Sequence, residues 1–186
     1  MAKAILVQYK FVLPSGTKHA SYAYQKLFRA LYGYTQNVSK SSGKTYRYHR
    51  QGILTAQPHT KPGKNAVLIP KSALPGLVDF FKTGKNPSHE WHVKGDWKAV
   101  YYTDERDLSP AETAAAVEAA AGRVLSSLGI AANLAQSPIT EPAVLGEGQQ
   151  AAARAALAKL MACEWANDCQ QTPKIQRLTD LTTKQR

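Results

Sequence analysis

The chain has 186 residues, 44% of them apolar, and a formal net charge of +11. That length suits one domain, or one domain with an appendage, and the apolar content excludes a disordered polycation. The charge points to a polyanionic partner, nucleic acid or anionic lipid, because a field of one sign attracts it.

Residues 3–13 read as a strand. Ile5, Val7, Tyr9, Phe11 and Leu13 alternate with Leu6, Gln8, Lys10 and Val12, and apolar residues on both faces predict a central place in the sheet. Pro14-Ser15-Gly16-Thr17 is turn chemistry. A helix is predicted from there to about Tyr32, with Tyr24, Leu27, Phe28 and Leu31 as its buried stripe. Lys18, Tyr22, Lys26 and Arg29 occupy another face, and Gly33 is placed to end the helix. Tyr32 and Tyr34 flank that glycine and read as packing residues.

Lys40-Ser41-Ser42-Gly43-Lys44 is a polar loop. Thr45 to Leu54 follows as a strand, with Tyr46 and Tyr48 on one face and Arg47 and His49 on the other. A second loop covers Thr55 to Lys64. Asn65 to Ile69 is a short apolar strand closed by Pro70. Ser72 is the predicted cap of a helix running to Lys82, with Leu74, Leu77, Val78 and Phe81 buried and Pro75 in its first turn. Residues 89–102 read as strand, bent or folded back around Lys94-Gly95-Asp96.

After Asp107 the composition shifts. Ser109-Pro110-Ala111-Glu112 is a strong helix start, and an Ala-rich helix runs to Leu128 with Val117, Ala121, Val124 and Leu128 as its stripe. Residues 130–148 form a Pro- and Gly-containing linker. A second helix spans about Gln149 to Asn167, with Ala153, Leu157, Leu160, Met161 and Trp165 facing inward. Gln170 to Arg186 is expected to be a polar, frayed tail.

The expected fold is α+β. Strand, helix, strand, strand, helix, strand is the split βαβ, ferredoxin-like order, an antiparallel sheet with two helices on one face and the other face free. The expected organisation is a basic α+β domain over 1–107, an Ala-rich helical hairpin over 108–169 and the tail over 170–186. The hairpin's small-residue stripes fit homodimerisation as well as internal packing. The strand order resembles the RNA-recognition-motif group. However, Asn65-Ala66-Val67-Leu68-Ile69, where that group's aromatic motif falls, carries no ring, so no membership follows.

The excess of positive charge is confined to the expected first domain. Residues 1–78 hold twelve Lys or Arg and no Asp or Glu. Residues 108–186 hold seven of each sign. Between Lys40 and Lys71 seven basic residues are interleaved with Tyr46, Tyr48, His49 and His59. Single strands are held by cations that follow the phosphates and by rings on which bases stack. The expected ligand is therefore nucleic acid, RNA or DNA, most naturally single-stranded and bound with little regard to sequence. Lys26, Arg29, Lys40, Lys44, Arg47, His49, Arg50, Lys61, Lys64 and Lys71 are the expected polar contacts, and Tyr46, Tyr48 and Trp97 the expected stacking rings. The competing reading makes Tyr46 and Tyr48 ordinary sheet formers over the core.

Enzymatic signatures are missing. There is no Walker motif, no GxSxG and no HExxH. His89 and His92 would face opposite sides of a strand, which is poor metal geometry, and the basic region lacks carboxylates for two-metal chemistry. No metal and no cofactor are expected. A metal-independent endoribonuclease using His19 or His49 with Tyr22 and Lys26 is the alternative in the enzyme class. A structural nucleoprotein or ribosome-associated component is the alternative among binding proteins. Cys163 and Cys169 read as two ordinary thiols, six apart. The first apolar stretch is too short for a signal-peptide core or a membrane span, so a cytoplasmic protein that does not bind membranes is expected.

Overall fold

The structure is a computed structural model that describes residues 1–18, 21–86, 95–130, 146–167, 169 and 172–183, with only the backbone of Arg47. The chain folds as α+β, with antiparallel sheets and five α-helices among the described residues. Strand β1 (Ala2–Val12) is central, as its two-sided apolar pattern predicts. It pairs antiparallel with β5 (Ala66–Ile69) on one side and β6 (Lys98–Leu108) on the other, and β4 (Thr60–Gly63) adds to β5. The sheet order is β4-β5-β1-β6.

One face of this sheet is fully used. Ile5, Val7, Tyr9 and Phe11 of β1 and Val67 and Ile69 of β5 are buried under α1 (Tyr22–Tyr32) and α2 (Leu74–Thr83). Leu27 and Leu31 of α1 and Leu77 and Phe80 of α2 are the fully buried anchors, each worth roughly 1.5–3 kcal/mol of apolar burial. Ser21 caps α1 by accepting from the Tyr24 N–H. Ser72 does not cap α2. A 3-10 turn (Lys71–Ala73) precedes that helix, and the Ser72 N–H instead donates to Glu164 Oε1 at 3.2 Å. Phe80, not Val78, completes its buried stripe.

The strand expected over Thr45–Leu54 is not part of this sheet. Residues Thr45–Arg50 form β3, which pairs with β2 (Tyr34–Ser39) in a separate two-stranded ribbon. The residues that follow turn back at 51–57, and the second place in the main sheet is taken by β4, from the stretch expected to be loop.

The C-terminal helices cover one end of the second sheet face. Helix α3 (Pro110–Ser127) starts at a capping box between Ser109 and Glu112, as its sequence predicts. Helix α4 (Glu147–Met161) ends six residues before the expected Asn167, and a 3-10 turn (Glu164–Ala166) carries Trp165 into the interior. The expected frayed tail is instead a helix, α5 (Pro173–Thr183), which buries Ile175 and Leu178 against α3 and α4. These helices share one core with Ala4 and Leu108 of the sheet. Trp165 Nε1 donates to the Lys3 carbonyl at 2.9 Å and pins that core to β1. Beyond this covered end, Gln8, Lys10, Val12, Lys98, Val100 and Tyr102 leave the rest of the face exposed.

Candidate nucleic-acid interface

The ribbon stands on a crossing of two glycines. Gly33, at φ 77°, ends α1, and Gly52 passes against it. A Cβ on Gly33 would fall 2.6 Å from the Arg50 carbonyl oxygen, and one on Gly52 2.6 Å from the Tyr32 carbonyl carbon. Only glycine allows so close a backbone approach. Asn86 Nδ2 strengthens the root by donating to the Ala30 and Gln51 carbonyls at 3.3 and 3.2 Å. At the tip, the Lys40 N–H donates to the Lys44 carbonyl and the Ser39 and Thr45 hydroxyls meet at 3.1 Å.

The register sorts the ribbon into two faces. Tyr34 opposes Arg50, Gln36 opposes Tyr48 and Val38 opposes Tyr46, so these six share one face. Thr35, Asn37, Arg47 and His49 belong to the other. Tyr46 and Tyr48 are 39% and 42% exposed and contribute to neither core cluster, so they are surface rings rather than core packing.

Each ring on this face carries a cation. Lys40 Nζ lies 4.7 Å from the Tyr46 centroid, and the Arg50 guanidinium 5.9 Å from that of Tyr48. Arg29 of α1 reaches Tyr34 at 5.0 Å and Tyr22 at 5.8 Å, and Lys26 covers Tyr22 at 4.9 Å. The result is a row of rings and cations from the ribbon tip to the first turn of α1. Such pairs hold rings and charges at fixed spacing along one surface.

Between the ribbon root, the 53–57 turn and α3 lies a cleft of about 480 Å³. Arg50, His49 and Arg123 line it, and no carboxylate does. Arg123 Nε donates to the Thr55 carbonyl at 3.2 Å, and its Nη2 donates to the Gln57 carbonyl at 2.9 Å and lies 3.1 Å from His59 Nδ1. Burial pushes this guanidinium down to about 10, which leaves it charged at neutral pH. Burial, with help from Arg123, holds the His59 imidazole down at about 4, so it is neutral there. Lys61 Nζ sits 3.3 Å from the Tyr32 ring centroid, and burial beside Arg123 lowers its pKa too. Tyr32 and Tyr9 share a hydroxyl–hydroxyl bond of 2.9 Å, and burial raises the pKa of both.

Of the residues singled out in the sequence, Lys26, Arg29, Lys40, Tyr46, Tyr48 and Arg50 come together on the ring-and-cation row. Lys44 is exposed at its tip, and Arg47 holds a backbone position on the opposite ribbon face. His49 turns to the cleft side, with Nδ1 3.0 Å from Thr35 Oγ1. Lys64 and Lys71 are exposed at either end of β5, apart from the row. Trp97 is not with the stacking rings. It packs half-buried at 5.9 Å from both Phe11 and Phe80. His19, His89 and His92 lie outside the described residues.

Tyr34 is a ribbon ring rather than the packing residue its place beside Gly33 predicts, and Arg123 belongs to none of the sites the sequence predicts. Its only signal was a lone cation beside the alanine stripe of α3. Cys163 and Cys169 are buried, and burial pushes the Cys163 thiol up to about 11, a protonated and unreactive state. Among the described residues no cluster of metal-binding side chains exists, and no helix is long and apolar enough to cross a membrane. Comparison with known protein families, with curated proteins and with solved structures finds no match for this chain.

Proposed function

We propose that this protein binds single-stranded nucleic acid, largely without regard to sequence, through the row formed by the β2–β3 ribbon and α1. The observation that carries the reading is the pairing of exposed Tyr22, Tyr46 and Tyr48 with Lys26, Arg29, Lys40 and Arg50, in a stretch of 78 residues without a carboxylate. Rings offer stacking to any base, cations offer neutralisation to any phosphate, and neither reads a base edge. The strand order β4-β5-β1-β6 supports a ferredoxin-like reading of the basic domain, with the ribbon inserted between α1 and β4.

The experiment is a competition titration. A labelled single-stranded oligonucleotide is bound, then displaced by unlabelled single- and double-stranded RNA and DNA. Single strands of either sugar should compete best, and the oligonucleotide should remain intact on a gel. Replacing Tyr46 and Tyr48 together by Ala should weaken binding by at least about tenfold, since one stacked base contributes roughly 1–3 kcal/mol. Preferred displacement by duplex, or full affinity in the double variant, would overturn the reading.

A further inference from the structure

Arg123 is the one half-buried arginine of α3, and its charge is unanswered. The three ion pairs among the described residues join Lys3 to Asp107, Arg106 to Asp104 and Lys174 to Glu118. None involves Arg123. Its Nε and Nη2 are spent on the Thr55 and Gln57 carbonyls and on His59, while Nη1 has no hydrogen-bond partner among the described residues. His59 supplies no balancing charge, because a neutral imidazole has none. A guanidinium held this rigidly, with one donor nitrogen left over, is pre-organised to receive an oxyanion.

The surroundings are shaped for one. Ala119, Gly122, Arg123 and Ser126 line the cleft at i, i+3, i+4 and i+7 of α3, so its helical wall has only small side chains around the arginine. His49 faces it from the ribbon, and Arg50, whose guanidinium lies over Tyr48, borders it at the ribbon root. The cleft has the volume of a small-molecule site. Three carbonyls at the C-terminal end of α3, which would oppose an anion, already accept hydrogen bonds. Those of Leu125, Ser126 and Leu128 accept from Ile130, Gly129 and Gln149. Arg50 belongs both to this cleft and to the ring-and-cation row, where it lies over Tyr48.

We infer that this cleft is a phosphate-binding site, in which Arg123 holds one phosphate group of a nucleotide and Arg50 adds positive charge at its border. The phosphate belongs either to a free mononucleotide or to a strand that leaves the tyrosine face over the ribbon edge. The second source rests on the proposed nucleic-acid binding, and the first does not.

The test uses the full chain and two probes, a nucleoside monophosphate followed by calorimetry and a labelled single-stranded oligonucleotide followed by anisotropy. Arg123→Gln removes the charge but also alters contacts to the 53–57 turn. Ala119→Glu is the second variant. It places a carboxylate at an exposed helical position on the cleft wall, where folding is unaffected, and circular dichroism confirms that. Binding of the nucleoside monophosphate, lost by about tenfold or more in Ala119→Glu, supports the site whatever the oligonucleotide does. A weaker oligonucleotide complex in Ala119→Glu, with the nucleoside monophosphate failing to bind, also supports it and assigns the phosphate to a strand. Oligonucleotide binding that depends on Tyr46 and Tyr48 but is unchanged in Ala119→Glu and Arg123→Gln, with no binding of the monophosphate, overturns the cleft and leaves the tyrosine face standing. Failure of both probes in the unaltered protein overturns both.

Discussion

Acid should weaken this fold through one imidazole. His59 is 8% exposed, with Arg123 Nη2 from α3 at 3.1 Å and the Tyr32 ring of α1 at 5.7 Å, and the Lys61 ammonium over that ring. Protonation there would set a third cation beside two others in a site without a carboxylate. Its pKa is held at about 4, against 6.5 in the unfolded chain. The unfolded state therefore takes up the proton first as pH falls, and the native state resists it. Stability is fully present above 6.5, is lost as pH falls from there, and stops falling from this cause near 4. At about 1.4 kcal/mol per pH unit, that interval amounts to roughly 3 kcal/mol. A domain of ordinary stability has about 5–15 kcal/mol in all, so the loss is large. The assay is urea unfolding followed by tryptophan fluorescence between pH 7 and pH 4, in the unaltered protein and in His59→Asn, which keeps a polar group near the Nδ1 position and cannot titrate there. The variant should lose markedly less stability over that interval, since carboxylate effects are common to both. Parallel curves would refute the reasoning and mean that the imidazole takes its proton in the native state as readily as in water.

Other consequences are simpler to read. Leu178→Ala should cost about 2–5 kcal/mol in chemical denaturation, because α5 is part of the shared helical core; an effect under about 0.5 kcal/mol would mean that the tail is frayed after all. Gly52→Ala should destabilise by more than about 4 kcal/mol, or prevent folding, because its Cβ would strike the backbone of Gly33 and Tyr32; a soluble variant with unchanged melting would contradict the glycine crossing. Trp165→Phe should cost about 1 kcal/mol through the lost bond to the Lys3 carbonyl, read as a shift of a few degrees in thermal unfolding.

What could be read in the sequence followed from burial. Strand β1 and the stripe of α1 carry strong apolar periodicity, and both lie where that periodicity predicts. The ribbon was half-visible. Tyr46 and Tyr48 announced an alternating strand, but its partner, Tyr-Thr-Gln-Asn-Val-Ser, buries no face and so shows no amphipathic signal. The same lack of a core side leaves the partner of β3 unspecified by its sequence. Nothing in its own pattern says which strand it meets. Helix α5 was hidden because Ile175 and Leu178 are isolated among polar residues, and their burial depends on a surface supplied by α3 and α4. Most of the cations of the row were legible as charge. Their order along one surface was not, because α1 and the ribbon are brought together by the Gly33–Gly52 crossing, which no periodicity announces. Arg123 was the least legible, since its role arises from the 53–57 turn, far away in sequence.

The most direct test of the account is the salt dependence of oligonucleotide binding. Lys26, Arg29, Lys40, Lys44 and Arg50 give the row five cations with which to meet phosphates. For a single strand this predicts a slope of log K against log salt of about −3 to −4, a loss of about a hundredfold in affinity between about 50 and 200 mM salt. A slope near zero would contradict it, because a complex that ignores salt cannot be held by phosphate contacts.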